Sequence, residues 1–153
     1  MEATNPNYKA AVREIFGRAA FVNDVGIRLV DCGPGWCESA LAVLPRHYQH
    51  HDYVHAGVQA TIADHTAGAA ATTLIRDTEL VLSAEFKINL LNTARGEALR
   101  CRAEVLKAGR MLVVVESEVF AVSGEKERLV AKATVTLAVV AKPGAPAGEV
   151  GQR

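Results

Sequence analysis

Apolar and polar residues alternate along the chain in two distinct rhythms. Over residues 6 to 20 the apolar positions Val12, Ile15 and Phe16 keep helical spacing, and Pro6 suits an early helical position, so a short helix is expected. Strand-like patterning follows at Ile27 to Cys32 and again at Trp36 to Leu44, with the turn cluster "CGPGW" between them, which predicts a hairpin. The segment "PRHYQHHDYVH" is a polar, histidine-rich loop. Residues 56 to 75 are then nearly all Ala, Val, Ile, Gly and Thr, up to "RDTE", and read as a helix that is apolar almost all round.

From Leu80 the rhythm changes to period two. "LVLSAEFKINLLN", "GEALRCRAEVLKA", "MLVVVESEVFAV" and "LVAKATVTLAVV" have the β-branched character of strands, and short turns containing "ARG", "AGR" and "SGEKE" join them. Short connections predict antiparallel meander pairing of these last four. A helix without a polar face must be covered on most sides, which a sheet curled around it achieves. The expected class is therefore α+β. One copy would leave part of the helix and a sheet edge bare, so at least a dimer is expected. Residues 1–153 form a single domain in this reading, with 1–22 as a helical N-terminal extension and 142–153 as a flexible tail.

Composition narrows the function classes. The 153 residues are 50% hydrophobic and 22% charged, with Lys+Arg and Asp+Glu equal at 17 each. That is a globular composition without a general field for nucleic acid. No apolar run reaches the ~18 residues of a membrane span, and the first 21 residues lack the apolar core of a secretory signal. Cys32, Cys37 and Cys101 fit no metal spacing and read as reduced thiols of a cytoplasmic protein.

The candidate chemistry begins with Asp64, a carboxylate in the middle of the apolar helix. Gly57, Thr61, Asp64 and Gly68 are spaced by four, three and four residues, so they share one face, and the glycines permit close approach there. An unpaired buried carboxylate is costly and needs a compensating role. A hydrogen bond or ion pair would supply one; so would catalysis. The helix start, "VHAGV", offers free backbone N–H groups, an anion site or oxyanion hole. Yet Gly57 and Asp64 lie roughly 10 Å apart along the axis at the helical rise, too far for one carbonyl to meet both. Two antiparallel helices in a dimer could pair the Gly57 end of one chain with Asp64 of the other.

These residues resemble a known family. "HAGVQATIAD" (55 to 64) is similar to the His-Gly-Gly…Asp signature of hotdog-fold acyl-CoA thioesterases of the phenylacetate-degradation type; "LSAEFKINLLNTARGE" and "EVLKAGRMLVVVESEVF" resemble the strands that follow. The resemblance spans roughly residues 25 to 140. It implies a hotdog fold, an antiparallel curved sheet wrapped around one long central helix. It further implies acyl-CoA as substrate, a homodimer or a homotetramer built as a dimer of dimers, active sites between subunits, and neither metal nor cofactor. Asp64 falls on the catalytic acid, either general base or nucleophile; Ala56, after the motif histidine His55, supplies the oxyanion N–H at the Gly57 end of the helix; Ser83 orients the attacking water. The turn "KAGRM" matches the part that holds the CoA nucleotide, with Lys107, Gly109 and Arg110 as contacts and Met111 and Leu90 counted beside them. The motif departs from the family in having Ala56 where glycine is usual. A polar loop amide falls near Gln49, or His50 by a shift of one.

Other readings stay in view. His47, His50, His51, Asp52 and His55 raise a metal site, though no three fall convincingly on one element. A hotdog hydratase or dehydratase would use a histidine, His55 or His65; the first also reads as a residue bonded to backbone, the second as facing away from the site. A non-catalytic acyl-CoA sensor would keep "KAGRM" without needing Asp64 and Ser83 together.

Overall fold

The computed structural model describes residues 1–144. Its elements run α1 (Tyr8–Arg18), α2 (Ala20–Val25), β1 (Arg28–Gly33), β2 (Trp36–Ala42), a 3-10 turn at Pro45–His47, α3 (Ala56–Thr72), β3 (Glu79–Leu90), β4 (Ala98–Ala108), β5 (Leu112–Ser123) and β6 (Lys126–Ala141). The six strands form one antiparallel sheet curled about α3, the α+β hotdog arrangement. Ile62, Ala63, Ala67, Ala69, Ala70 and Ala71 of α3 are buried with Leu99, Val115, Val119 and Val135 of the strands. The alanines let helix and sheet backbones approach closely, which explains why this helix carries so few large side chains.

The N-terminal helix is two helices rather than one. Val12 and Phe16 bury one stripe of α1, and after Ala19 leaves helical geometry α2 continues to Gly26, whose left-handed φ of 94° stops it. With six residues and only Val22 buried, α2 is too short to leave a periodic trace, and the helical extension reaches Val25 rather than residue 22. The central helix ends at Thr72, with Leu74 and Ile75 following as buried non-helical residues. The tail expected over 142–153 begins tethered, Lys142 N–H donating to the Thr78 carbonyl at 2.9 Å; from residue 145 it lies outside the described residues.

The sheet order is β1-β2-β4-β5-β6-β3, which corrects the expected meander. Only β4, β5 and β6 follow one another in space. β3 pairs with β6, and the edge of β4 that it would have used is taken by β2. The connection over residues 91–97 is longer than a tight hairpin turn. It is tied across the sheet end by Leu91 N–H to the Val130 carbonyl, 2.8 Å, and by Val54 N–H to the Ala94 carbonyl, 2.9 Å.

β3 is thus an edge strand of twelve residues. A bulge between Ser83 and Glu85 resets its side-chain alternation, so Ser83, Phe86 and Leu90 all pair with residues of the helix-facing side, Leu137, Val135 and Ala131. Beyond the reach of α3 that face is bare: Phe86 is 42% and Leu90 52% exposed. Among the described residues no helix is long and apolar enough to cross a membrane.

Candidate active site

The start of α3 is organised by His55. It is the N-cap, at φ −59° and ψ 142°, and its ring Nδ1 accepts the Gly57 N–H at 2.8 Å. The Val58 and Gln59 N–H groups donate to the His55 carbonyl, at 3.0 and 3.3 Å. Of the first-turn amides, Ala56 alone is left with no partner within the described residues. Gly57 is therefore not the open donor that small size alone pointed to: the histidine occupies its amide. His47 is buried nearby, Nδ1 accepting from Leu44 N–H at 3.0 Å and Nε2 within 2.7 Å of the Val25 carbonyl and 3.4 Å of Arg46 Nε. These two histidines bind backbone. Among the described residues no group of three or more His, Cys, Asp or Glu is placed to hold a metal ion.

Two turns further along, Asp64 meets β3. Ser83 Oγ donates to Asp64 Oδ1 at 2.7 Å, so residues 19 apart in sequence form one polar pair at the open edge of the sheet. The bulge after Ser83 keeps its hydroxyl on the helix side before the strand turns outward. Both side chains line a cavity of about 560 Å³, within the usual range for small-molecule sites. Its walls are Gly68 and Thr72 of α3, Val81 and Leu82 of β3, Leu137 of β6, and Ala11, Ile15 and Ala19 of α1. A carboxylate with one oxygen held by a hydroxyl and the other free, beside an apolar slot, can take a proton from water or attack an acyl carbon.

His65 also lines this cavity, contrary to the expectation that it faces away. One residue turns a helix by ~100°, and the slot is wide enough to touch both side chains. The ring meets Phe16 edge-on with centroids 4.5 Å apart, and its Nε2 is buried without a hydrogen-bond partner. Burial lowers its pKa below the ordinary 6.5, outweighing the opposing charge of Asp64. The unfolded chain consequently binds this proton more readily than the folded one. The stability that neutral His65 contributes is present above 6.5 and is lost as the pH falls toward the lowered folded value. Thermal melts should record a larger fall in midpoint between about pH 7.5 and about pH 5 for wild type than for His65→Leu. Equal falls would remove His65 from the acid response.

The remaining candidates are not gathered at this cavity within one chain. The Gln49 side chain accepts a hydrogen bond from His51 N–H in the loop before α3, and the His50 ring lies tilted against that of His51, at 46°. Lys107, Arg110 and Met111 are exposed at the β4–β5 turn, and Leu90 lies at the far end of β3. Gly109 has a reason of its own: a Cβ there would sit 2.6 Å from the Leu112 carbonyl oxygen, so the turn excludes any other residue. The three cysteines are free and buried; Cys37 is pushed above the usual thiol range, and Cys101 up to about 12, mainly by burial. Sequence patterns missed the part played by α1. The face Ala11, Ile15, Arg18 and Ala19 has helical spacing, but nothing in it distinguishes cavity from solvent.

Comparison with known proteins bears on the family and the fold. Residues 51–136 match the family model described as the thioesterase superfamily. A 1,4-dihydroxy-2-naphthoyl-CoA hydrolase of Listeria monocytogenes is 28% identical over 118 residues, 77% of this chain and 94% of that one. Among solved structures, a thioesterase family protein of Silicibacter pomeroyi is 36% identical with a TM-score of 0.86, the match covering 88% of this chain and 99% of that one. A conserved protein of Pseudomonas aeruginosa is 32% identical, TM-score 0.75, over 84% and 98%.

Proposed function

The chain belongs to the thioesterase superfamily and is a hotdog-fold thioester hydrolase; on that premise we propose that it hydrolyses an aryl- or short- to medium-chain acyl-CoA, with Asp64 as the reacting carboxylate. The observation that carries the reading is the Ser83–Asp64 hydrogen bond at the mouth of an apolar cavity. In the base route Asp64 takes a proton from water, the hydroxide oxygen bonds to the thioester carbon, and the C–S bond breaks to release CoA and the acid. In the nucleophile route the Asp64 oxygen itself bonds to that carbon, the C–S bond breaks and CoA leaves as a thiolate. Water then cleaves the resulting anhydride to the acid and the Asp64 carboxylate, the proton released going to the thiolate. Ser83 fixes the orientation of the carboxylate in both.

The oxyanion that forms in either route needs a donor near 3 Å. The open first-turn amide of α3, that of Ala56, lies ~12 Å from Asp64 along α3 at the helical rise, so it serves the site of a second copy. The bare helix-facing side of β3 supports such a pairing. Its edge hydrogen-bonding groups and the exposed Phe86 and Leu90 suit a second β3, bringing the start of the partner's α3 toward Asp64. The turn bearing Lys107 and Arg110 supplies cationic contacts for the CoA phosphates at the mouth of the shared site.

Release of free thiol from a panel of aryl- and aliphatic acyl-CoA esters tests the function. Turnover of at least one class is expected. A chain that binds CoA esters and cleaves none of them would be a sensor instead.

A further inference from the structure

The geometry points to α1 as the wall that selects the acyl group, reserving the cavity for an unbranched aliphatic chain of medium length. This rests on the acyl-CoA reading above. α1 carries two faces. Val12 and Phe16 are buried against the core, and Phe16 packs on His65, which fixes α1 over α3. The next face, Ala11, Ile15 and Ala19, is thereby turned to the cavity, opposite Val81 and Leu82 of β3. Thr4 Oγ donates to the Leu74 carbonyl at 2.8 Å, so α1 starts where α3 ends and runs back toward Asp64.

The result is a slot and not a bowl. Its lining follows α3 from Asp64 through Gly68 to Thr72, eight residues further on, or ~12 Å at the helical rise, and continues past the helix end to Ile75. Asp64 and Ser83 mark one end. Asn5, Arg76, Asp77 and Glu79 form a polar rim at the other, and Glu14, Arg18 and Lys142 add charged groups to the lining, so the apolar wall is a bounded strip. Gly68 opens the middle: a Cβ there would meet only the Leu137 side chain, at 3.8 Å. No phenyl, phenol or indole ring lines the slot among the described residues, and the imidazole that does, His65, is held edge-on by Phe16. A flexible methylene chain can follow such a path between isoleucine and leucine walls. A broad ring system would have to displace α1.

The test is kcat/KM of the full chain on butyryl-, octanoyl-, decanoyl- and benzoyl-CoA, for wild type, Ile15→Trp and Gly17→Trp. Gly17 sits on the opposite side of α1, where a Cβ meets nothing within 4 Å. Wild type should favour octanoyl- and decanoyl-CoA over the other two. Ile15→Trp should lower those two at least ~10-fold and leave butyryl-CoA within about twofold, while Gly17→Trp changes nothing. Ala11→Leu should shift the profile in the same direction and carries the test if Ile15→Trp does not fold. A wild type that favours benzoyl- or butyryl-CoA, or Ile15→Trp and Ala11→Leu profiles parallel to wild type, overturns the assignment while the thioesterase reading stands. A wild type inert on every ester overturns both.

Discussion

Asp64→Asn is expected to lower kcat for acyl-CoA hydrolysis by at least ~100-fold, the usual loss when a general base is removed. The substitution keeps size and shape, and the amide oxygen can still accept the Ser83 hydroxyl bond seen at 2.7 Å. What it removes is the ability to take a proton or to attack carbon. Asp64 is also half-exposed at a sheet edge, so its loss does not strand a buried partner, and the melting midpoint should stay close to that of wild type. An unchanged kcat would dismiss Asp64 and turn attention to its neighbour in the cavity, His65. Single-turnover hydrolysis in isotopically labelled water separates the two routes: label enters the Asp64 carboxylate only if an anhydride forms.

Ala56→Pro should cost ~10²–10³ in kcat, the scale of one lost oxyanion donor. Proline is an unusually clean probe at this position. Ala56 is the first helical residue, where proline is favoured, and His55 before it already has the extended ψ of 142° that a following proline demands. The ring therefore deletes one N–H, which no group among the described residues accepts, and leaves the Gly57–His55 cap in place. The same variant tests whether the site is shared. Asp64→Asn and Ala56→Pro chains produced together should form mixed dimers, each with one site whose Asp64 and Ala56 are both intact. Random pairing then restores about a quarter of wild-type activity. If both residues served one chain's site, the mixture would stay as inactive as its components.

The sequence rhythm was sufficient for the strands, the central helix and the α+β class, because half-buried strands and a buried helix leave different periods. It was insufficient for the neighbour of β3. That pairing depends on β2 occupying the edge of β4, a contact between segments sixty residues apart that no local pattern encodes. The short helix α2 escaped for want of length. At the site, Asp64 drew notice as a carboxylate on an apolar helix, whereas nothing in the spacing links it to Ser83; only the family resemblance did. His55 reads in the sequence both as candidate chemistry and as a loop-to-helix residue bonded to backbone, and it is the N-cap of α3. The cavity face of α1 was invisible because whether Ile15 meets a slot or water is decided by how Val12 and Phe16 seat the helix.

The position of β6 bears on how the chain comes to be folded at all. The last of the described strands to leave the ribosome is an interior one, hydrogen-bonded on one side to β5 and on the other to β3. Until residues 126–141 emerge, β3 has no partner in its own chain, and its Leu82, Phe86 and Leu90 stand open beside a row of unsatisfied backbone groups. Nascent chains close together on one message would present that edge to each other before the proper neighbour exists. Slow synthesis of the C-terminal strand therefore trades correct sheet closure against premature edge-to-edge aggregation. The Lys87 and Glu85 side chains flanking Phe86 are the charges on that strand that oppose it.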